Sequence, residues 1–149
     1  ETAREQYAEI RSIRLALEGL AAETAAGKVT AEQLQMLERN IRDNLEAVHC
    51  GDLIAALKLN QAFHFALADI AGMPLLRDML DSLWMRTGPL IARAYGDFSE
   101  RMAVEHHWEV LRALEKGDGT AARQAICTDI LDGNQKMMEL IARREATLA

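Results

Sequence analysis

Four polar residues at helical spacings carry the chemistry that this chain offers. Asn60 and His64 lie one turn apart in 52–71, a run without glycine or proline. Leu53, Ala56, Leu57, Phe63, Leu67 and Ala71 recur there every three or four residues, and both polar residues fall inside that apolar arc. His107 lies near the middle of a second arc, made by Val104, Trp108, Val110, Leu111 and Leu114, whereas His106 sits at its edge and reads as a surface residue. Asp129 falls within a third, formed by Ala122, Ala125, Ile126, Ile130, Gly133, Met137 and Leu140. An ionised carboxylate alone in a core is costly unless it is paired, protonated or metal-bound. Two imidazoles, one carboxylate and one amide oxygen converging from three helices are a donor set for a divalent cation. The plainer alternative keeps the same groups as hydrogen-bonded core residues, with Asp129 paired to Arg14 or Arg86 and no metal.

The elements that must position these groups are helices. Of the 149 residues, 50% are hydrophobic but only 5% aromatic, and proline occurs twice, a balance that favours helix over sheet. The patterning predicts an all-α, antiparallel bundle of six to seven helices in one domain spanning 1–149. The first helix runs from about Ala3 to Ala26, with Ile10, Ile13, Leu17, Leu20, Ala21 and Thr24 inward and Gly27 as its stop. Thr30-Ala-Glu-Gln33 is a capping box for the second, and Gly51-Asp52 separates it from the third. Gly72-Met-Pro74 joins the third to the fourth, in which Gly88-Pro89 predicts a kink or break. Ser99 is expected to cap the fifth, and Asp118 to cap a long last helix.

The net charge of −6 argues against this chain itself gripping nucleic acid or an anionic membrane, since both need clustered lysine and arginine. No stretch approaches the length of an apolar span. Cys50 and Cys127 form no C-x-x-C, which suits a reducing cytoplasm. Arg14, Arg86 and Arg93 lie in or beside apolar stripes; their stems would cover core surface, or their guanidinium groups would clamp an effector carboxylate. Glu109 and Glu139 lack the Glu-x-x-His spacing of a di-iron enzyme. A metal-dependent helical-bundle enzyme and a plain dimerisation bundle remain the alternatives to a sensing domain.

From about Ile10 to Leu131 the chain resembles the FCD domain, the C-terminal ligand-binding domain of GntR-type bacterial transcription regulators of the FadR subfamily. The matching pieces are Arg14-x-x-Leu17-Glu18 with Ala21-Ala22, Phe63-His64 with Ala71-Gly72-x-Pro74-Leu75-Leu76, Leu83-Trp84-x-Arg86, and His107-x-x-Val110-Leu111-x-Ala113-Leu114-x-x-Gly117-Asp118 continuing into Ala122-Arg123-x-Ala125. The resemblance implies a non-enzymatic, cytoplasmic effector-binding domain that forms a homodimer. It also implies operator DNA binding through an upstream winged helix-turn-helix, which this chain does not contain, and a carboxylate or sugar-acid effector. The family's metal pattern, Asp-x-x-x-His followed by a histidine on each of two later helices, falls on Asn60, His64, His107 and Asp129. Asparagine thus replaces the first aspartate, and aspartate the last histidine. The ion expected is zinc, nickel or manganese, and the harder donor set moves preference towards manganese or magnesium.

Overall fold

The computed structural model describes residues 2–95 and 104–148. Six helices follow one another: α1 (Ala3–Ala26), α2 (Ala31–His49), α3 (Leu53–Ala71), α4 (Pro74–Tyr95), α5 (Glu105–Glu115) and α6 (Gly119–Leu148). Their ends are set locally. Thr2 and Thr30 each form a reciprocal capping box, with Glu5 and Gln33 respectively. Asp52 caps α3 by accepting from Ala55 N–H, and Asp118 does the same for α6 through Ala121 N–H. Gly72 ends α3 at φ 69°, a left-handed conformation that a side chain would strain.

Two sequence expectations fall on α4 and α5. α4 runs unbroken through Gly88 and Pro89 to Tyr95. Proline removes one N–H from an established helix, which bends a ladder more readily than it ends one. The described fifth helix starts at Glu105 after Val104, whose side chain makes no capping bond; Ser99 lies outside the described residues.

The helices pack as an antiparallel bundle. α1 and α6 are antiparallel along their length, from Arg4–Glu145 (3.4 Å) through Cys127 on the Leu15 carbonyl to Arg123–Glu23 (2.9 Å). α5 is antiparallel to α6, and α3 to α2 and α4. α1 and α3 run parallel as neighbours: Glu18 meets His64 near one end, and Lys28 Nζ donates to the Ala71 carbonyl at the other (3.1 Å). The core joins Leu37, Ile41, Phe63, Leu67, Val110, Leu111, Leu114, Ile126 and Ile130. No described helix is long and apolar enough to cross a membrane.

The face that α1 buries differs from the one its apolar pattern suggests. Ile13 and Leu20 are exposed at 38% and 39%, whereas Tyr7, Ile10, Arg14, Glu18, Ala21, Ala22 and Ala25 are inside. α1 also approaches α6 closely at Gly19, where a Cβ would lie 3.3 Å from Cys127 Sγ and from Arg123 Cγ. Gly19→Leu is therefore expected to destabilise the domain by about 1–3 kcal/mol through overpacking. A lower urea midpoint at unchanged slope would show it, and an unchanged midpoint would contradict so tight a crossing.

Candidate functional site

His64, on the buried face of α3, stands between two carboxylates. Its Nδ1 is hydrogen-bonded to Glu18 of α1, and its Nε2 lies 3.0 Å from Asp129 Oδ2 of α6. His107 of α5 brings its own Nε2 to within 3.2 Å of the same Oδ2. Both imidazoles and Glu18 are 1% exposed. One ligand atom from each of His64, His107 and Asp129 can be chosen so that all lie within 4.8 Å of one another. Three helices thus turn two ring nitrogens and a carboxylate oxygen onto one point. Asn60 lies one turn before His64 on α3 and is half-buried.

Packing fixes the rings. His107 stacks on Phe63 at a centroid distance of 4.2 Å and an interplanar angle of 4°, and His64 meets it edge-on at 5.4 Å. Among the described residues His107 Nδ1 has no hydrogen-bond partner. Behind His64 the polar network continues: Arg14 Nε donates to Glu18 Oε2 at 2.6 Å, and its guanidinium lies over the Trp84 ring, 4.4 Å from the centroid.

The electrostatics follow from this order of charges. Burial alone would raise the Glu18 carboxyl, but the Arg14 guanidinium and the His64 imidazole outweigh it and hold it at about 2. Burial likewise opposes a charge on His64, yet Glu18 and Asp129 on its two sides raise it to about 9. Burial works against ionised Asp129 too, and the bonds from His107 and His64 carry it well below the usual carboxylate range. Without a metal, then, His64 is an imidazolium bridging two carboxylates. A divalent cation would replace the proton on Nε2, leaving Nδ1–H to donate to Glu18. A histidine ligand oriented by a carboxylate on its other nitrogen is the usual support for a metal. The donor set therefore fits a divalent ion.

Of the residues singled out in the sequence, His64, His107 and Asp129 come together, with Asn60 a turn away. Asp129 pairs with the two histidines, while Arg14 pairs with Glu18. Arg86 is exposed, two residues and about 200° around α4 from Trp84. That turn separates it from the buried cluster, so its guanidinium does not share the Arg14 network. Arg93 is within α4, and its side chain lies outside the described residues. His106 belongs to a separate surface cluster with Glu109 (3.2 Å) and Asp132 (2.6 Å). Glu18 is the residue whose role the residue patterns missed. Its signal was the four-residue spacing from Arg14, an acid and a base that neutralise one another on one helix face.

The comparisons with known proteins agree with this architecture. The model of a family described as FCD domain matches residues 9–131. The chain is 28% identical over 129 residues to the HTH-type transcriptional regulator McbR of Escherichia coli (strain K12), covering 85% of this chain and 58% of that protein. It is 26% identical over 129 residues to the HTH-type transcriptional repressor RspR of the same strain, covering 86% of this chain and 57% of the relative. It thus spans less than two thirds of these relatives. Among solved structures, E. coli McbR/YncC superposes with a TM-score of 0.86 at 25% identity, over 93% of this chain and 71% of that one. Streptococcus agalactiae GntR does so with a TM-score of 0.73 at 27% identity, over 91% and 61%.

Proposed function

The chain belongs to the FCD domain family, and we propose that it is the effector-sensing domain of a GntR-type transcription regulator of the FadR subfamily. In this reading the domain is not an enzyme. It holds a divalent metal through His64, His107 and Asp129, with Asn60 supplying a fourth donor, and it binds a small organic acid beside that metal. A winged helix-turn-helix carried elsewhere in the whole protein contacts operator DNA, and two copies of this domain pair in the cytoplasm so that two half-sites are read together. The observation that carries the reading is the convergence of two Nε2 atoms on Asp129 inside an FCD fold.

The residues divide the work. Glu18 holds the His64 ring and keeps its proton on Nδ1. Phe63 sets the plane of His107 by stacking. When bound, the ion supplies a Lewis-acidic anchor for an anion oxygen. Arg14 is held by Glu18 through Nε, and among the described residues no acceptor meets its outer amino groups. Those groups can accept a carboxylate in the bidentate geometry of a guanidinium.

Thermal shift with a panel of organic acids, with and without chelator, tests this. An acid that raises Tm is expected to do so only in metal-loaded protein, by about 2.7 kcal/mol at a hundredfold excess over its Kd. Arg14→Ala should weaken the acid and leave metal content unchanged. Binding that survives chelation intact would remove the metal from recognition. Sedimentation at micromolar concentration should give a dimer; a monomer throughout that range would contradict the pairing.

A further inference from the structure

The seam between α1 and α4 contains two buried donors without an acceptor among the described residues: Arg11 Nε and Trp84 Nε1. Trp84 is 6% exposed and Arg14, stacked on it, 8%. Arg11 is on the same face of α1 as Arg14, and buried Tyr7 beside them feels both guanidinium charges. The two helices are antiparallel, with Arg14 over Trp84 while Leu17 and Ala21 share one cluster with Leu76 and Leu80. Arg11 is one turn back from Arg14 on α1, and on α4 the Thr87 hydroxyl donates to the Leu83 carbonyl (2.9 Å). An unpaired buried donor is costly, and here both unpaired atoms ask for an acceptor.

Charge points the same way. Glu18 balances Arg14, Asp129 would balance only half of a divalent ion, and among the described residues no carboxylate pairs with Arg11. Resting on the proposed metal-anchored site, we infer that this seam is the second anchor of the effector. Arg11, Arg14 and Trp84 receive the far end of an extended acid, so the ligand class is a dicarboxylate or an acid of similar length rather than a monocarboxylate. One carboxylate reaches the metal, and the other accepts from the indole N–H and the guanidinium groups.

Calorimetric titration of zinc-loaded protein with straight-chain dicarboxylates of three to six carbons, each against its matching monocarboxylate, reads this directly. At least one dicarboxylate is expected to bind tenfold or more tightly than its partner. Trp84→Phe, which keeps a ring under Arg14 but removes the N–H, and Arg11→Met, which removes the donor, should each cut that preference threefold or more. Neither should change zinc content or monocarboxylate affinity. Equal affinity for both acid types, a preference untouched by both variants, or binding of no acid at all would overturn the second anchor. Zinc content measured in the same samples reports separately on the metal: zinc without a dicarboxylate preference defeats the seam alone, whereas loss of both defeats the metal-anchored reading as well.

Discussion

Glu18→Ala is expected to be the most damaging single substitution outside the apolar core. Glu18 is buried and is the counter-charge of both Arg14 and the His64 imidazolium. Removing one partner of a buried ionic network leaves the others desolvated and unpaired, which typically costs about 3–5 kcal/mol. Whole domains are stable by only about 5–15 kcal/mol, so metal-free Glu18→Ala should lose a large share of its folding free energy. Urea unfolding of metal-free protein measures it. Glu18→Gln preserves the shape and one acceptor, and should lose less. Glu18→Ala should bind zinc about 10–100-fold more weakly, because the ring of His64 is no longer oriented, and Glu18→Gln should lose less. A loss below about 1 kcal/mol for the alanine variant would mean that the Arg14–Glu18–His64 network contributes little to the fold.

The second large effect is on pH dependence. His64 is raised from 6.5 to about 9 in the folded metal-free protein. A raised histidine stabilises below its unfolded value, and that stabilisation is lost as pH rises through the folded one. Glu18 is lowered from 4.5 to about 2 and Asp129 is lowered as well, so their contribution is present above the unfolded carboxylate range and is lost as pH falls. The metal-free domain should therefore be most stable between about pH 4.5 and 6.5, losing about 3 kcal/mol between pH 6.5 and 9. A metal held at His64 Nε2 would reverse the upper limb. It would take the place of the proton on that nitrogen, so stabilisation by zinc should grow across the same interval as that proton becomes easier to remove. Denaturant unfolding at pH 5, 6.5, 8 and 9, with zinc and with chelator, gives the two curves. Parallel curves would contradict a proton and a metal competing for the same nitrogen.

How much of this could be read from residues alone differs by element. Glycine, proline and capping residues located α1, α2, α3 and the start of α4 closely, because a capping box or a left-handed glycine acts within a few residues. The inward turn of His64, His107 and Asp129 was also legible, since a polar residue centred in an apolar arc has one direction available. The inner face of α1 was not. Ile13 and Leu20 satisfy an apolar template, yet Arg14 and Glu18 take the inside because they neutralise each other and Glu18 meets His64 across a gap of 46 residues. Charge pairing over that separation leaves no local trace beyond the four-residue spacing. Asn44 is a further case: it is fully buried on α2, and among the described residues neither atom of its amide finds a partner. Nothing in the structure explains why this position is polar. Arg86, which the family pattern also marked, is exposed on α4, two residues and about 200° around the helix from Trp84.

Whether His64, His107 and Asp129 hold one metal ion is decided by anomalous diffraction from crystals of the zinc-loaded protein. A single strong peak is expected about 2.0–2.2 Å from His64 Nε2, His107 Nε2 and an Asp129 oxygen, with His64 Nδ1 still bonded to Glu18. Zinc bound elsewhere, or His64 still hydrogen-bonded to Asp129 when the protein is saturated with metal, would contradict it.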